Sequence, residues 1–206
     1  DSYSRARRMA TEALGKAAAR VRVDPWNTLG DILETDFEAR RKVSRAIENA
    51  SVRTFPSNGG GGCRLDLSLG EIITALPYRF PGDSFPLRDD VPIPTEYSSV
   101  IIDARGLPVE PMIFPSVFNT DGLEIISRDQ IDIRYAMRYG MVSFVYSDSE
   151  AFKHRKAGSS PLYCVALKDM RGCPVLSDRD VRKIFSSGKT LERMKKCRLI
   201  FIISRS

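Results

Sequence analysis

The feature that most constrains the fold is a short block of β-branched residues, Val100-Ile101-Ile102, with polar or small residues on both sides. An unbroken apolar block of this length is typical of a strand buried on both faces of a sheet, because a half-exposed strand alternates apolar and polar residues. Gly106 and Pro108 follow and end the strand. A sheet that contains such a strand must be covered on both faces, so the sequence predicts an α/β arrangement in the second half of the chain.

A hairpin is predicted directly after this strand. Two apolar runs, 112–118 and 123–126, are separated by Asp121-Gly122. Asp-Gly pairs favour tight turns, because glycine adopts the positive φ that such turns need. Pro115 has no backbone N–H to donate, so we expect it at a bulge or on an edge.

The first third of the chain predicts two helices and a strand pair. Alanines at three- and four-residue spacing predict a helix over 2–23 that packs closely against a sheet. A threonine cap at Thr28 predicts a second helix over 28–49, with Phe37 among its inward residues. Alternating residues predict paired strands over 52–55 and 64–69, joined by a flexible glycine-rich connection.

A proline-rich segment separates this region from the rest. Five prolines, Gly82 and three aspartates fall within 77–94, which favours an extended linker or wrapping segment. The predicted fold class is therefore α+β. A small helix-plus-hairpin N-terminal domain spans 1–76, a linker spans 77–95, and a mixed-sheet α/β domain spans 96–206.

The remaining elements of the second domain are predicted from caps and apolar runs. Ser127 with Gln130 forms a capping-box pattern for a helix through Tyr139, and Gly140 is a suitable stop. The other predicted elements are strands over 141–146, 162–167 and 199–203, and helices over 148–156, 177–185 and 190–196.

Asp103 is the strongest candidate for chemistry. It follows the buried strand, and α/β folds often place catalytic acids at such positions. Arg105 lies close enough in sequence to neutralise it, which favours a structural role. An uncharacterised enzyme centred on Asp103 is kept as the weaker alternative function.

Other catalytic and metal motifs are incomplete. Ser187-Gly188-Lys189-Thr190 resembles the end of a Walker A loop, but the glycine required five residues before Gly188 is Lys183. The only histidine, His154, lies in a charged run that we interpret as solvated surface, so neither a triad nor a zinc site is expected.

The four cysteines are irregularly spaced and contain no C-x-x-C pair. Free thiols are favoured for most of them, with disulfides in an oxidising compartment as the open alternative. No cofactor or metal is predicted.

Charge is distributed unevenly along the chain. The net charge of +6 combines +3 over 1–80, −7 over 81–150 and +10 over 151–206. The candidate interaction surface consists of Lys189, Arg193, Lys195, Lys196 and Arg198. Phosphate contacts need such cations, so a nucleic-acid or polyanion binder is the main alternative function. No stacking motif or helix-turn-helix accompanies the cluster, and nucleic acid is therefore not the expected partner.

Several stretches in the second half carry a family resemblance. They are VIIDARGL followed by the strand with Pro115, the DG turn and Ile125-Ile126, then residues 135–168, VLSDRDVRKI at 175–184 and CRLIFII at 197–203. Their order resembles the C-terminal portion of bacterial envelope proteins related to flagellar assembly protein T and the Lpp-twenty type lipoproteins.

The resemblance implies a non-enzymatic periplasmic accessory or scaffold protein in flagellar or cell-envelope assembly, and hence in motility. It implies protein–protein contacts with flagellar or envelope proteins, with self-association as a further option. The implied location is the periplasm at the outer membrane, with membrane attachment only through a lipid anchor upstream of the sequence given. It supplies no catalytic residues.

Overall fold

The computed structural model describes residues 2–58 and 60–206, which form two compact units. The first unit runs to Val23 and resumes over Asn27–Tyr78, and the second comprises Asp24–Trp26 and Arg79–Ser206. The predicted fold class is confirmed, because helices and a hairpin precede a mixed α/β unit. The division after Tyr78 falls within the proline-rich segment 77–95.

The first unit contains α1 (Ser2–Ala19), α2 (Leu29–Thr35), α3 (Phe37–Glu48), β1 (Ser51–Ser57), β2 (Gly60–Asp66) and α4 (Leu69–Ala75). Strands β1 and β2 pair antiparallel, and α1 packs on β2 as the alanine spacing predicts. The ring of Tyr3 lies directly over Gly61, where a Cβ would approach it to 2.4 Å.

The predicted second helix is two helices, because Asp36 interrupts it. Its backbone is extended, with φ −118° and ψ 108°, and its carboxylate accepts a 2.7 Å hydrogen bond from the Ala39 amide to begin α3. An aspartate that bonds nearby amides in this way competes with helical hydrogen bonding. Phe37 comes just after the break and is 72% exposed, so its predicted inward position is wrong.

The glycine-rich stretch between the two predicted strands also contains more regular structure than predicted. Gly60–Gly62 belong to β2 and pair with Ser57, Pro56 and Phe55, so this part of the expected flexible connection is strand. Gly59 lies outside the described residues.

The second strand of the predicted pair, 64–69, extends too far, because β2 ends at Asp66. Leu69 is the first residue of α4, and Ser68 and Glu71 form a reciprocal capping box at its start. The Glu71 amide donates to the Ser68 hydroxyl at 3.2 Å, and the Ser68 amide donates to the Glu71 carboxylate at 2.9 Å. This local pattern overrides the Leu alternation that predicts a strand.

The second unit contains β3 (Ser99–Asp103), β4 (Val117–Phe118), β5 (Glu124–Ile126), α5 (Ile133–Tyr139), β6 (Ser143–Val145), α6 (Asp148–Lys153), β7 (Pro161–Val165), β8 (Lys168–Met170), β9 (Cys173–Val175), α7 (Asp178–Phe185), α8 (Gly188–Lys195) and β10 (Leu199–Ile202). Four of its strands form a wholly parallel sheet in the order β6-β10-β3-β7.

The centre of this parallel sheet is fully buried. Val100, Ile101 and Ile102 in β3, and residues 200–202 in β10, are 0% exposed. Burial on both faces is what a central parallel strand requires, so the prediction from the β-branched block is confirmed. The carboxyl ends of the four strands lie at one edge, and Asp103 is the last residue of β3.

The other four strands form a mixed sheet in the order β5-β4-β9-β8. The predicted hairpin is present as β4 and β5, with a register shift between Val117 and Phe118. Pro115 precedes β4, where it costs the ladder no donor. A second hairpin joins β8 to β9 through Arg171 and Gly172, whose φ angles are 51° and 78°.

The helix predicted from Ser127 starts later than expected. The side-chain oxygen of Gln130 does accept from the Ser127 amide at 2.9 Å, but these contacts close only a turn. Helix α5 begins after Asp132, whose carboxylate accepts from the Arg134 amide at 3.0 Å. Gly140 ends α5 with φ 76°, as predicted.

The proline-rich segment lies along the second unit from Arg79 onward. It has no helix or strand over 79–98, yet the Asp83 amide donates to the Asp129 carbonyl and the Arg88 amide to the Phe185 carbonyl, both at 2.8 Å. Phe85 is buried with its ring edge-to-face against Phe185 at 5.7 Å. This part of the segment is therefore extended but anchored.

Candidate functional site

The carboxyl edge of the parallel sheet is occupied by a charged pair. The Arg105 guanidinium donates from Nε to one carboxylate oxygen of Asp103 at 2.9 Å and from Nη2 to the other at 2.7 Å. These hydrogen bonds are the largest reason why the pKa of Asp103 is lowered to about 2. The sequence-based expectation that Arg105 neutralises Asp103 is confirmed.

Two further residues join this pair, and the sequence analysis missed both. The Tyr163 hydroxyl lies 2.8 Å from Asp103 Oδ2 and 2.9 Å from Asp148 Oδ1, and Arg105 Nη2 also reaches Asp148 at 2.9 Å. Burial and the two carboxylates raise the pKa of Tyr163, so the phenol keeps its proton. It donates that single proton to one carboxylate at a time. Asp148 follows β6 as Asp103 ends β3, so both carboxylates lie at the carboxyl edge of one parallel sheet.

The network has little capacity for acid–base chemistry. A carboxylate with a pKa of about 2 is a weak base at neutral pH, and the phenol is a weak acid. Beside it, the Gly106 amide donates to the Ser204 hydroxyl at 2.9 Å. The arrangement ties β3, β7 and the start of α6 together, and we assign it a structural role.

Three of the five basic residues predicted as an interaction surface hold the proline-rich segment. Arg193 and Lys189 approach the Glu96 carboxylate at 2.6 Å and 3.6 Å. Lys195 Nζ donates to the Gly82 carbonyl at 2.8 Å. Their positive charge is directed at this chain's own segment 82–97.

The other two, Lys196 and Arg198, have a second neighbourhood in common. They line a cavity of about 290 Å³ together with Arg155, Lys156 and two tyrosines. Lys196 also lines a cleft with Lys195 and Gly82, so it lies between the residues that face segment 82–97 and Arg198.

Comparison with known protein families connects the second unit to a described domain. A family model of the second domain of Treponema pallidum Tp0624 matches residues 99–205, which is just over half of the chain. The chain belongs to the Tp0624 second-domain family. The matched segment contains both sheets of the second unit, the Asp103 network and the cavity. A search of curated proteins finds no match.

Within the Tp0624 second-domain segment, Ser187–Thr190 forms a helix start. The Ser187 hydroxyl accepts from the Thr190 amide at 3.4 Å to cap α8, and the Thr190 hydroxyl accepts from the Tyr97 amide at 2.9 Å. The preceding element is the helix α7, whereas a phosphate loop follows a strand. The resemblance to a Walker A loop is therefore confined to sequence.

The charged run around His154 in this Tp0624-type domain is only partly solvated. Lys156 is 5% exposed, which corrects the prediction that the whole run lies in solvent. His154 is half-buried, and its Nδ1 accepts from the Lys156 amide at 3.1 Å. Burial, followed by the charges of Lys156 and Arg155, lowers the pKa of His154.

Metal-type side chains do not cluster in the part of the chain that the structure describes. Within it, no three of the histidine, cysteine, aspartate and glutamate side chains are placed to share an ion. All four cysteines are free thiols, and burial raises the pKa of Cys164 and Cys197 to about 12. Over residues 2–58 and 60–206, no helix has the length and apolar character needed to cross a bilayer.

Proposed function

We propose that the protein is a non-enzymatic accessory or scaffold protein of the bacterial envelope that acts through protein–protein contacts in flagellar or cell-envelope assembly. The observation that carries this proposal is the closed network at the carboxyl edge of the parallel sheet. In open α/β sheets this edge is the usual place for ligands and catalytic groups. Here Asp103, Arg105, Asp148 and Tyr163 bond to one another.

An exposed apolar patch beside this network supports a contact role. The ring of Phe152 stacks on that of Tyr163 at 5.8 Å with an interplanar angle of 4°. Phe152 is 49% exposed, and Val165, two residues after Tyr163 on the same face of β7, is 58% exposed. We call Phe152, Tyr163 and Val165 the carboxyl-edge patch and infer that it contacts a partner protein.

The envelope setting is supported by the resemblance to flagellar assembly protein T and Lpp-twenty type lipoproteins. The location that this resemblance implies is the periplasm at the outer membrane. Flagellar and envelope proteins are then the partners, and a second copy of the chain is a further candidate.

In-cell photo-crosslinking tests this proposal. A photoreactive residue replaces Val165 in the full-length protein, and a matched variant carries it at Leu123, which is 63% exposed in the β4–β5 turn. Mass spectrometry identifies what each position captures. We expect flagellar basal-body or envelope proteins from position 165 and not from position 123. Ribosomal or nucleoid proteins at position 165 would overturn the periplasmic assignment.

Polyanion binding is the second candidate function, and the basic lining formed by Lys196 and Arg198 favours it. Affinity for DNA that falls steeply with salt would support it. In that case Lys196→Glu should weaken binding more than Lys189→Glu, because Lys189 already faces Glu96. Equal effects of the two substitutions would show that the cavity side of the surface has no special part in polyanion binding.

A further inference from the structure

A basic cavity lies at the amino edge of the parallel sheet, opposite the carboxyl edge discussed above. It has a volume of about 290 Å³, and its lining residues are Tyr135, Tyr139, Arg155, Lys156, Lys196 and Arg198. Helix α5 contributes the tyrosines, the segment after α6 contributes Arg155 and Lys156, and the α8–β10 junction contributes the rest. Two separated stretches thus bring their cations to one place, and α5 adds two aromatic rings.

The four cations of this cavity lack acidic partners. None of the six lining residues is acidic, and among residues 2–58 and 60–206 no carboxylate lies within ion-pair distance of the four. Other basic residues of the second unit do have such partners, namely Arg88, Arg105, Arg128, Arg134, Arg182, Lys189 and Arg193. Asp132 is the acidic residue next to α5, and Arg134 occupies its carboxylate at 2.7 Å. Lys196 also borders a neighbouring cleft that Asp132 and Glu192 line. Among the residues that the structure describes, the cavity cations that neither pair with a carboxylate nor share that cleft are therefore Arg155, Lys156 and Arg198.

Lys156 makes this charge unusual, because it is buried. Its ammonium donates to the Gly140 carbonyl at 2.9 Å, and its side chain belongs to a residue that is 5% exposed. The pKa of Lys156 is lowered to about 8, mainly by burial; Cys197 acts in the opposite direction, and the charge of the neighbouring Arg155 adds to the lowering. A buried cation without a carboxylate is costly, so a bound anion would stabilise this arrangement.

The arginines are held in place before any ligand binds. The guanidinium carbon of Arg155 lies 3.4 Å from the centre of the Tyr139 ring, a cation–π contact that fixes the plane of the group. Arg198 Nη1 donates to the Lys156 carbonyl at 3.5 Å. Pre-positioned groups lose less conformational entropy on binding.

We propose that this cavity binds the phosphate group of a small molecule. Arg155 and Arg198 provide planar guanidinium forks, which match the geometry of phosphate oxygens, and Lys156 and Lys196 provide point charges. Several cations around one site suit a doubly charged phosphate better than a single carboxylate. The volume lies near the lower end of the usual range for ligand pockets, about 300–1,000 Å³, so a phosphate with a small body is the size that fits.

The phosphate can come from inorganic phosphate or from an organic phosphomonoester, and calorimetric titration of the full chain with inorganic phosphate and with glycerol phosphate separates the two. Tighter binding of glycerol phosphate identifies a phosphomonoester whose body contacts Tyr135 and Tyr139. Equal affinities identify inorganic phosphate. Either result requires saturable binding by the wild-type protein.

Matched substitutions locate the site. Arg155→Gln and Arg198→Gln should each weaken phosphate binding by about tenfold or more, because each removes a charged hydrogen-bond donor. Arg179→Gln removes the same charge from an exposed position on α7 and should leave the affinity unchanged. Wild-type affinity in both cavity variants, or an equal loss in the control, would overturn the proposal.

A wild-type measurement keeps the test decisive if a cavity variant fails to fold. Phosphate should raise the thermal midpoint of unfolding in a saturable way relative to chloride at equal ionic strength, because a ligand of the folded state stabilises it. Identical midpoints in the two salts would also overturn the proposal.

Discussion

Arg193 donates a 2.7 Å hydrogen bond to the backbone carbonyl of Tyr97, which lies 96 positions earlier in the chain. Its other terminal nitrogen lies 2.6 Å from the Glu96 carboxylate. Through these two contacts, helix α8 holds the residues that directly follow the proline-rich segment 77–95. Arg193, which the sequence predicts as part of an interaction surface, thus makes internal contacts that anchor a distant segment.

We expect Arg193→Ala to loosen this segment. Loss of the bond to the Tyr97 carbonyl should lower the free energy of unfolding by about 1 kcal/mol and speed proteolysis within 82–97. The control is Lys189→Ala: the Lys189 side chain is 72% exposed, and its ammonium lies 3.6 Å from Glu96. Exposed pairs of this kind contribute little, so the control should behave like wild type. Equal rates of proteolysis in the two variants would contradict this anchoring role of Arg193.

Asp103 should make the second unit sensitive to acid. Its folded-state pKa of about 2 lies below its ordinary value of 3.8, so its contribution is complete above pH 3.8 and is lost as the pH falls towards 2. Asp103→Asn should therefore lower the free energy of unfolding at neutral pH by about 1 kcal/mol, with solvent screening part of the ion pair. The difference in the free energy of unfolding between this variant and wild type should shrink as the pH falls from 3.8 to about 2.

Urea unfolding at several pH values measures this difference. The matched control is Asp121→Asn, which lies in the exposed β4–β5 turn and should follow the wild-type pH dependence. A deficit in Asp103→Asn that does not change with pH would show that the Arg105 pair is not its source.

Lys156 should produce a second rise of stability with pH, this time in the alkaline range. Its folded-state pKa of about 8 lies below the ordinary 10.5, so the unfolded chain binds more protons between these values and wild-type stability gains as pH rises. Lys156→Met lacks this gain. Relative to the variant, wild type should become more stable by up to about 3 kcal/mol across the window, because one pKa unit corresponds to about 1.4 kcal/mol.

Denaturant unfolding near neutral pH and near the upper end of that window tests the trend. The control is Lys153→Met, which replaces an exposed lysine at the end of α6 and should show no such dependence. A difference in the free energy of unfolding between wild type and Lys156→Met that does not change with pH would show that Lys156 is solvated.

Asp36→Ala tests the break between α2 and α3. It removes the carboxylate that accepts from the Ala39 amide at 2.7 Å, and loss of an N-cap typically costs about 1 kcal/mol. The thermal midpoint of the first unit should fall. Lys42→Ala, at an exposed position inside α3, should not lower it. A midpoint as high as wild type in Asp36→Ala would mean that the cap contributes nothing.

Local patterns predicted much of the fold. The β-branched block at 100–102 located the central strand, and Ser177 and Gly140 marked a helix start and a helix end. These signals work because each depends on hydrogen bonds or torsion angles within a few residues. At Leu69 two local patterns competed, because a strand alternation and a capping box share the same residues. The strand alternation was the weaker of the two, and the strand predicted from it was wrong at this position.

The candidate site was less accessible to the same reasoning. The sequence linked Asp103 to Arg105, two positions away, but not to Tyr163, 60 positions away. It grouped five basic residues because they are close together in the chain. Two of them, Lys189 and Arg193, instead pair with Glu96, which lies in a distant segment. Pairing across such separations depends on the order of strands in the sheet.

The sequence by itself determined the central strand, the α+β class, and some of the caps, among them Thr28, Ser177 and Gly140. Only the tertiary structure decided which charges are neutralised and which are buried. Lys156 stands in a run that reads as solvated, and it becomes a buried cation because α5 and the α8–β10 junction close around it. Hydrogen-bonding patterns of helices and turns are local, but desolvation and charge pairing depend on every element that packs nearby.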